Sequence, residues 1–155
     1  MTPAIDIVKK IKISYKVHEY THDSSRESYG LEAAEKLGID EFRVFKTLVV
    51  RLDNKELAVG VIPVSSMLNM KKIAKAIGAK KAIMASKSDV ERSTGYVLGG
   101  VSPLGQKKLL KTIIDSSAEK YSTIYVSAGR RGVEIELYPN DLRSLLNGVF
   151  YELSQ

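Results

Sequence analysis

Two apolar runs, Phe42 to Leu52 and Leu57 to Val64, are rich in Val, Leu and Ile and are separated only by Asp53-Asn54-Lys55-Glu56. Branched apolar side chains suit a pleated, half-buried surface, and four polar residues suffice to turn the chain back. The segment therefore reads as a β-hairpin. Shorter strands read at Tyr15 to Tyr20, Lys81 to Met84, Thr112 to Ile114, Thr123 to Ser127 and Val133 to Leu137, and Val149 to Leu153 closes the chain. The segment Thr21 to Ser28 reads as polar loop.

Helix signals lie between the strands. Thr2-Pro3 pairs a capping hydroxyl with a proline at the first helical position, and Ala4, Ile5, Val8 and Ile11 follow at helical spacing. Leu31 to Leu37 is a short helix stopped by Gly38. Asn69 caps a helix with Met70, Ile73, Ala74 and Ile77 on one side, ended by Gly78. A short helix opens near Ser86, and Pro139-Asn140-Asp141 opens a last one to Leu146. Strands outnumber helices and most sequence neighbours read as hairpins. The expected class is α+β, with a mixed, mainly antiparallel sheet or barrel flanked by helices. At 155 residues, 1–155 reads as one domain.

The chain contains no cysteine, which excludes disulfides, thiolate metal sites and cysteine nucleophiles. No apolar run approaches the ~20 residues needed to span a bilayer. Met1 to Asp6 lacks the basic and apolar regions of a secretory signal, so a cytoplasmic protein with no membrane partner is expected. The net charge is +6, from 24 basic and 18 acidic side chains. Basic residues cluster at Lys9-Lys10-Lys12, Lys71-Lys72-Lys75, Lys80-Lys81, Lys107-Lys108-Lys111 and Arg130-Arg131. Gathered on one face they form a footprint for a phosphate backbone; dispersed, they only keep the protein soluble.

The segment Ser93 to Gly105 holds four glycines, two serines, a threonine and a proline, and Gln106-Lys107-Lys108 follows at once. Glycines let backbone amides approach a ligand, so this is either a cradle for an anion or carbonyl or a tight turn. Lys46 shares a strand face with Leu48, Val50 and Leu52 by period-two alternation. It either snorkels from the strand end or points into a pocket as a compact ammonium. Ser102 is a poor hydrolase nucleophile, because Gly100-Val101-Ser102-Pro103 misses the G-x-S-x-G spacing and Pro103 has no N–H to donate to an oxyanion. His18 and His22 lie on a strand running into a loop, which argues against both a triad base and a metal pair. No P-loop or dinucleotide fingerprint is present. Tyr20 and Tyr29 flank the polar loop and either pack on the sheet or stack on a base. Glu134 and Glu136 share one strand face.

Taken together, Met1-Thr2-Pro3-Ala4, Phe45-Lys46-Thr47-Leu48, Ser93-Thr94-Gly95-Tyr96, Gly99 to Lys108 and Ile124-Tyr125-Val126-Ser127 with Gly129 to Gly132 resemble the YbaK/EbsC family of aminoacyl-tRNA deacylases from end to end. The resemblance implies a trans-editing enzyme that cleaves the ester of mischarged tRNA, with Cys-tRNA(Pro) as the expected substrate. It implies no cofactor and no metal, tRNA as partner, and an association with prolyl-tRNA synthetase. It places the activity-determining lysine on Lys46. Pocket positions fall on Tyr20, Tyr29, Thr47, Gly99, Gly100, Ser102, Ser127 and Glu134, and the Gly99-Gly100-Val101 amides are expected to hold the ester carbonyl. Departures are Glu134 where relatives carry Asp, Ala128-Gly129 in place of a Gly-Gly pair, and Tyr29 where Phe is common. A same-family deacylase for Ala or another small aminoacyl group, and a non-catalytic tRNA- or synthetase-binding module, stand as alternatives.

Overall fold

The computed structural model describes residues 1–25 and 29–155, the side chain of Tyr29 excepted. The helices are α1 (Pro3–Ile11), α2 (Tyr29–Leu37), α3 (Met70–Ile77), α4 (Lys87–Thr94) and α5 (Pro139–Leu146). The strands are β1 (Tyr15–Glu19), β2 (Val44–Leu52), β3 (Leu57–Pro63), β4 (Ala82–Met84), β5 (Lys111–Asp115), β6 (Ile124–Ser127), β7 (Val133–Leu137) and β8 (Val149–Tyr151). Local chemistry sets the helix ends as expected. The Thr2 hydroxyl accepts from Ile5 N at 3.2 Å, Asn69 Oδ1 accepts from Lys72 N at 3.0 Å, and Ser86 Oγ accepts from Asp89 N at 3.1 Å. Phe42 belongs instead to a 3-10 turn (Glu41–Arg43), because Asp40 Oδ1 accepts from its N–H at 2.9 Å and delays the strand to Val44.

The sheet runs β1-β7-β6-β2-β3-β5-β8, with β4 attached to β2. It is mixed and mainly antiparallel: β1/β7, β6/β7, β2/β3 and β2/β4 are antiparallel, whereas β2/β6, β3/β5 and β5/β8 are parallel. The expectation that most sequence neighbours form hairpins needs correction. Among the described residues only β2–β3 and β6–β7 are hairpins of consecutive strands. Parallel pairs require long crossovers, and α3, α4 and α5 lie within them. A second 3-10 turn, Ser116–Lys120, follows β5 where the periodicity of the sequence gives no helix signal.

Helices cover both faces. Ala4 and Val8 of α1, Val90 of α4 and Leu142 and Leu146 of α5 pack with Phe45, Val49, Val126 and Ile135 in the larger core. On the other face α3 packs on Val50, Leu52 and Ile62, while Ala33 and Ala34 of α2 pack on Val44 and Tyr125. Among the described residues no helix is long and apolar enough to cross a membrane.

One irregularity of this sheet positions the site. Along one edge β2 pairs with β3 from Phe45 to Arg51, but its other edge is divided. The strand β6 stops at Phe45, and β4 begins only at Val50. Val64 N donates to Val44 O and Leu52 N to Glu56 O, so even-numbered residues of β2 bond toward β3. Odd-numbered residues turn their amides to the divided edge, where Ala85 N donates to Val49 O at 3.0 Å. Thr47 thus directs its backbone N–H and C=O into the gap between β6 and β4.

Candidate active site

A cavity of about 230 Å³ occupies this gap. Val44 to Leu48 of β2, Ser127 at the end of β6 and Glu134 of β7 form its floor. Tyr20, Gly30, Val64, Leu98, Gly99, Val101, Arg130 and Arg131 form the walls. The floor residues follow from register. Phe45 faces Val126, so Lys46 and Ser127 come next; Ser127 faces Glu134, and Glu134 faces His18. Alternation puts Lys46, Ser127 and Glu134 in one row on the face that carries α2 and α3. Two strand spacings separate the backbones of Lys46 and Glu134 by about 10 Å.

Lys46 lies between the α2 and α3 clusters, half-buried, with Nζ donating to Val64 O at 3.3 Å. Its burial holds the ammonium pKa below the ordinary lysine range. Among the described residues no carboxylate lies within salt-bridge distance of it. Glu134 is 7% exposed, and burial raises its carboxyl pKa to about 8. The neighbouring Glu136 shows why. Burial also works to raise Glu136, but Thr123 Oγ1 donates to it at 2.5 Å and His18 Nε2 lies 2.8 Å away, and these contacts hold it below the usual carboxylate range. Among the described residues Glu134 has no such hydrogen-bond partners, so burial acts on it unopposed. Burial, with Glu134 next in effect, pushes the Tyr20 phenol up to about 12.

The glycine-rich loop closes on itself beside the gap. Lys107 N donates to Thr94 O at 3.0 Å and Lys108 N to Ser93 O at 3.1 Å, forming a neck. Tyr96 OH donates to Leu104 O at 2.6 Å inside, and Glu91 Oε2 accepts from Leu98 N at 3.0 Å. Gly99, at φ 95°, and Val101 reach the cavity wall. Gly100 does not, and its N–H is already engaged with Val97 O at 2.8 Å. Ser102 is fully buried away from the cavity, where its Oγ accepts from Leu104 N at 3.2 Å. Ser127 Oγ accepts from Gly129 N at 3.0 Å. Gly129, at φ 102°, leaves room for the Tyr96 ring, because a Cβ there would sit 2.4 Å from Tyr96 Cε1.

The structure thus gathers Tyr20, Lys46, Thr47, Gly99, Val101, Ser127 and Glu134 at one cavity and leaves Gly100 and Ser102 outside it. The Tyr29 side chain lies outside the described residues. Arg130 and Arg131 read from sequence only as a basic pair. Their signal is position: they lie in the turn joining the strands that carry Ser127 and Glu134. His18 and His22 are taken up by Glu136 and Glu32, and among the described residues no group of His, Asp and Glu is arranged to hold a metal.

Fold and site together define an α+β domain with a small pocket that gathers Lys46, Arg130 and Arg131 with the carboxyl of Glu134, bordered by the glycine-rich loop. The chain belongs to the aminoacyl-tRNA editing domain family, which matches residues 27–145. It is 43% identical over 153 residues to the Enterococcus faecalis protein named "Putative Cys-tRNA(Pro)/Cys-tRNA(Cys) deacylase EbsC", covering 99% of this chain and 93% of that one. A proline–tRNA ligase of Shouchella clausii is 32% identical over 127 residues, 76% of this chain and 22% of the ligase. A solved structure described as "a putative trans-editing enzyme for prolyl tRNA synthetase" shares the fold with a TM-score of 0.84, at 20% identity over 99% of this chain and 97% of its own.

Proposed function

We propose that the protein removes a mischarged amino acid from tRNA, with Cys-tRNA(Pro) as substrate. The observation that carries this reading is the pairing of ends in one cavity. Lys46 and Glu134 sit at the same floor yet, among the described residues, neither is within salt-bridge distance of an opposite charge, leaving room for a substrate that carries both a cation and an anion or oxyanion. An aminoacyl ester on a terminal ribose has that form. Its α-ammonium would meet Glu134 and Ser127, and a ribose or phosphate oxygen would meet Lys46. Binding the ammonium would favour loss of the Glu134 proton by placing a cation beside it. Tyr20 would bound the pocket, with Tyr29 in the same role.

Among the described residues no side chain at the cavity is a ready nucleophile, so the reaction is assigned to the substrate. The cysteinyl thiol, losing its proton, attacks its own carbonyl carbon. The ester C–O bond then breaks, the ribose oxygen takes a proton, and a cyclic thioester departs from intact tRNA. For an amino acid without a thiol, water assisted by the ribose hydroxyl replaces the sulfur. The Thr47 N–H, turned into the gap and unbound to a neighbouring strand, is the donor we assign to the developing oxyanion. The Gly99–Val101 wall sets the carbonyl's approach, and orientation of this kind supplies several kcal/mol of barrier reduction.

Similarity to EbsC and to part of a proline–tRNA ligase supports tRNA(Pro) as carrier and prolyl-tRNA synthetase as a partner. The test is a panel of tRNA(Pro) charged with Cys, Ala, Ser and Pro, followed by loss of the amino acid. Rapid release from Cys-tRNA with slow release from Ser and Ala esters is expected. Preference for Ala-tRNA would reassign the substrate, and equal binding of charged and free tRNA without cleavage would make this a binding module.

A further inference from the structure

A second, open groove of about 580 Å³ lies at the far end of β2, on the α4 face. Arg51, Lys55, Arg92, Lys108 and Lys111 contribute to it, against the carboxylates Glu56 and Asp89. That surplus of three charges is half of the chain's +6. Asp89 is engaged with Arg92 at 2.5 Å, whereas no carboxylate lies within 4.0 Å of Arg51, Lys55, Lys108 or Lys111 among the described residues. Leu109, 73% exposed, is the one largely exposed apolar side chain along it among the described residues. Leu57 and Leu110 line it half-buried, and among the described residues no aromatic side chain does, whereas a protein interface is enriched in aromatic anchors. Flexible, unpaired cations along an open channel instead suit a phosphate backbone.

Two connections tie the groove to the cavity. Leu48 lines the cavity and Arg51 lines the groove three residues further along the same strand, on opposite faces of the sheet, and the cavity reaches the α4 face through Leu98, Gly99 and Val101 in the gap between β6 and β4. Helix α4 carries Arg92 in the groove, and its Glu91 holds Leu98 at the cavity wall. We infer that this groove carries the sugar-phosphate backbone of the RNA whose 3′ end enters the cavity, with Arg51, Lys55, Lys108 and Lys111 binding phosphates. The inference rests on the deacylase reading, but its first measurement does not.

Lys55, Lys108 and Lys111 are exposed and outside the catalytic cavity, so K55Q/K108Q/K111Q tests them together. Binding of uncharged tRNA is measured by fluorescence anisotropy from 50 to 300 mM NaCl. The slope of log K against log[salt] should fall in magnitude by about 0.7–0.9 for each phosphate no longer neutralised, roughly 2–3 for the three lysines. With aminoacyl-tRNA the variant should raise KM at least about tenfold at unchanged kcat. It should cleave a short aminoacyl-nucleotide ester at the wild-type rate, since that substrate does not reach the groove. An unchanged salt slope, or equal loss on the short ester, overturns the inference. So does displacement of tRNA by polyglutamate of matched charge as readily as by RNA, which would reassign the surface to an acidic protein. If wild-type protein cleaves neither substrate while the salt slope still drops, the deacylase reading fails and the groove stands.

Discussion

Lys46 and Glu134 stand in one row of the sheet with Ser127 between them, both facing the same cavity, and no ion pair joins them. Burial acts on both in the direction of neutrality, lowering the lysine pKa and raising that of the glutamate to about 8. A salt bridge would have cancelled both shifts and filled the space. Lys46 Nζ turns to Val64 O instead, and the cavity is left open to a substrate bearing both kinds of group.

Replacing Lys46 with alanine should reduce single-turnover deacylation by roughly 10²–10³-fold, the usual loss when one charge-stabilising group is removed. Its ammonium is partly desolvated and unpaired, so the thermal midpoint should hold or rise. Lys46→Arg should not rescue turnover, because a planar guanidinium is bulkier than the ammonium it replaces in a cavity of about 230 Å³. Wild-type rates in either variant would remove Lys46 from the mechanism.

Glu134 makes stability depend on pH in a defined direction. Its folded pKa of about 8 lies above the ordinary value of 4.5, so the folded chain keeps a proton that the unfolded chain releases. Its contribution to stability is complete below 4.5, declines between 4.5 and about 8, and is flat above, by up to about 1.4 kcal/mol per pH unit within the window. Glu134→Gln removes that decline. Urea titrations at pH 5, 7 and 9 should show the variant gaining on wild type as pH rises; a constant difference would contradict a raised carboxyl.

Gly129→Ala should destabilise the fold by about 2–3 kcal/mol, since it combines a left-handed backbone with a ring contact. The added Cβ meets Tyr96 at 2.4 Å, at φ 102°. Truncating that ring in Tyr96→Ala/Gly129→Ala should relieve the clash but leave the backbone strain. A double-mutant cycle measured by chemical denaturation reads the coupling; strict additivity would show the clash to be irrelevant.

Ser102→Ala separates a structural hydroxyl from a reacting one. Buried Ser102 Oγ accepts from Leu104 N, so its loss should cost about 1–3 kcal/mol through an unsatisfied amide. Deacylation per folded molecule should remain within about threefold of wild type, because Ser102 does not reach the cavity. A hundredfold fall at unchanged stability would restore it to the chemistry.

Much of the fold is legible in the sequence because its signals are local. Thr2, Asn69 and Ser86 cap helices through their own hydroxyl or amide oxygens, and Gly78 ends α3 in the left-handed region at φ 87°. The alternation of β2 places Lys46 on the face of Leu48 and Val50, as the structure does. Pairing is less legible. The parallel crossovers β3/β5 and β5/β8 depend on residues far apart in the chain, and adjacency in sequence alone suggests hairpins there. The glycine-rich segment is equally ambiguous, since composition does not show which amides a loop uses internally. Gly100 spends its own on Val97.

What the sequence determined by itself is the set of elements, the burial tendency of each face, and, through several ordered motifs, the family. Periodicity and capping act within a few residues, so they survive without knowledge of the whole. The tertiary structure alone decided which ionisable groups share a cavity, and which of two glutamates on one strand has its pKa raised by burial. Glu136 meets His18 and Thr123 across neighbouring strands, whereas Glu134, two residues away on the same face, is buried at the cavity with no side-chain hydrogen bond among the described residues. Long-range pairing sets solvation and partners, and those in turn set the chemistry of the site.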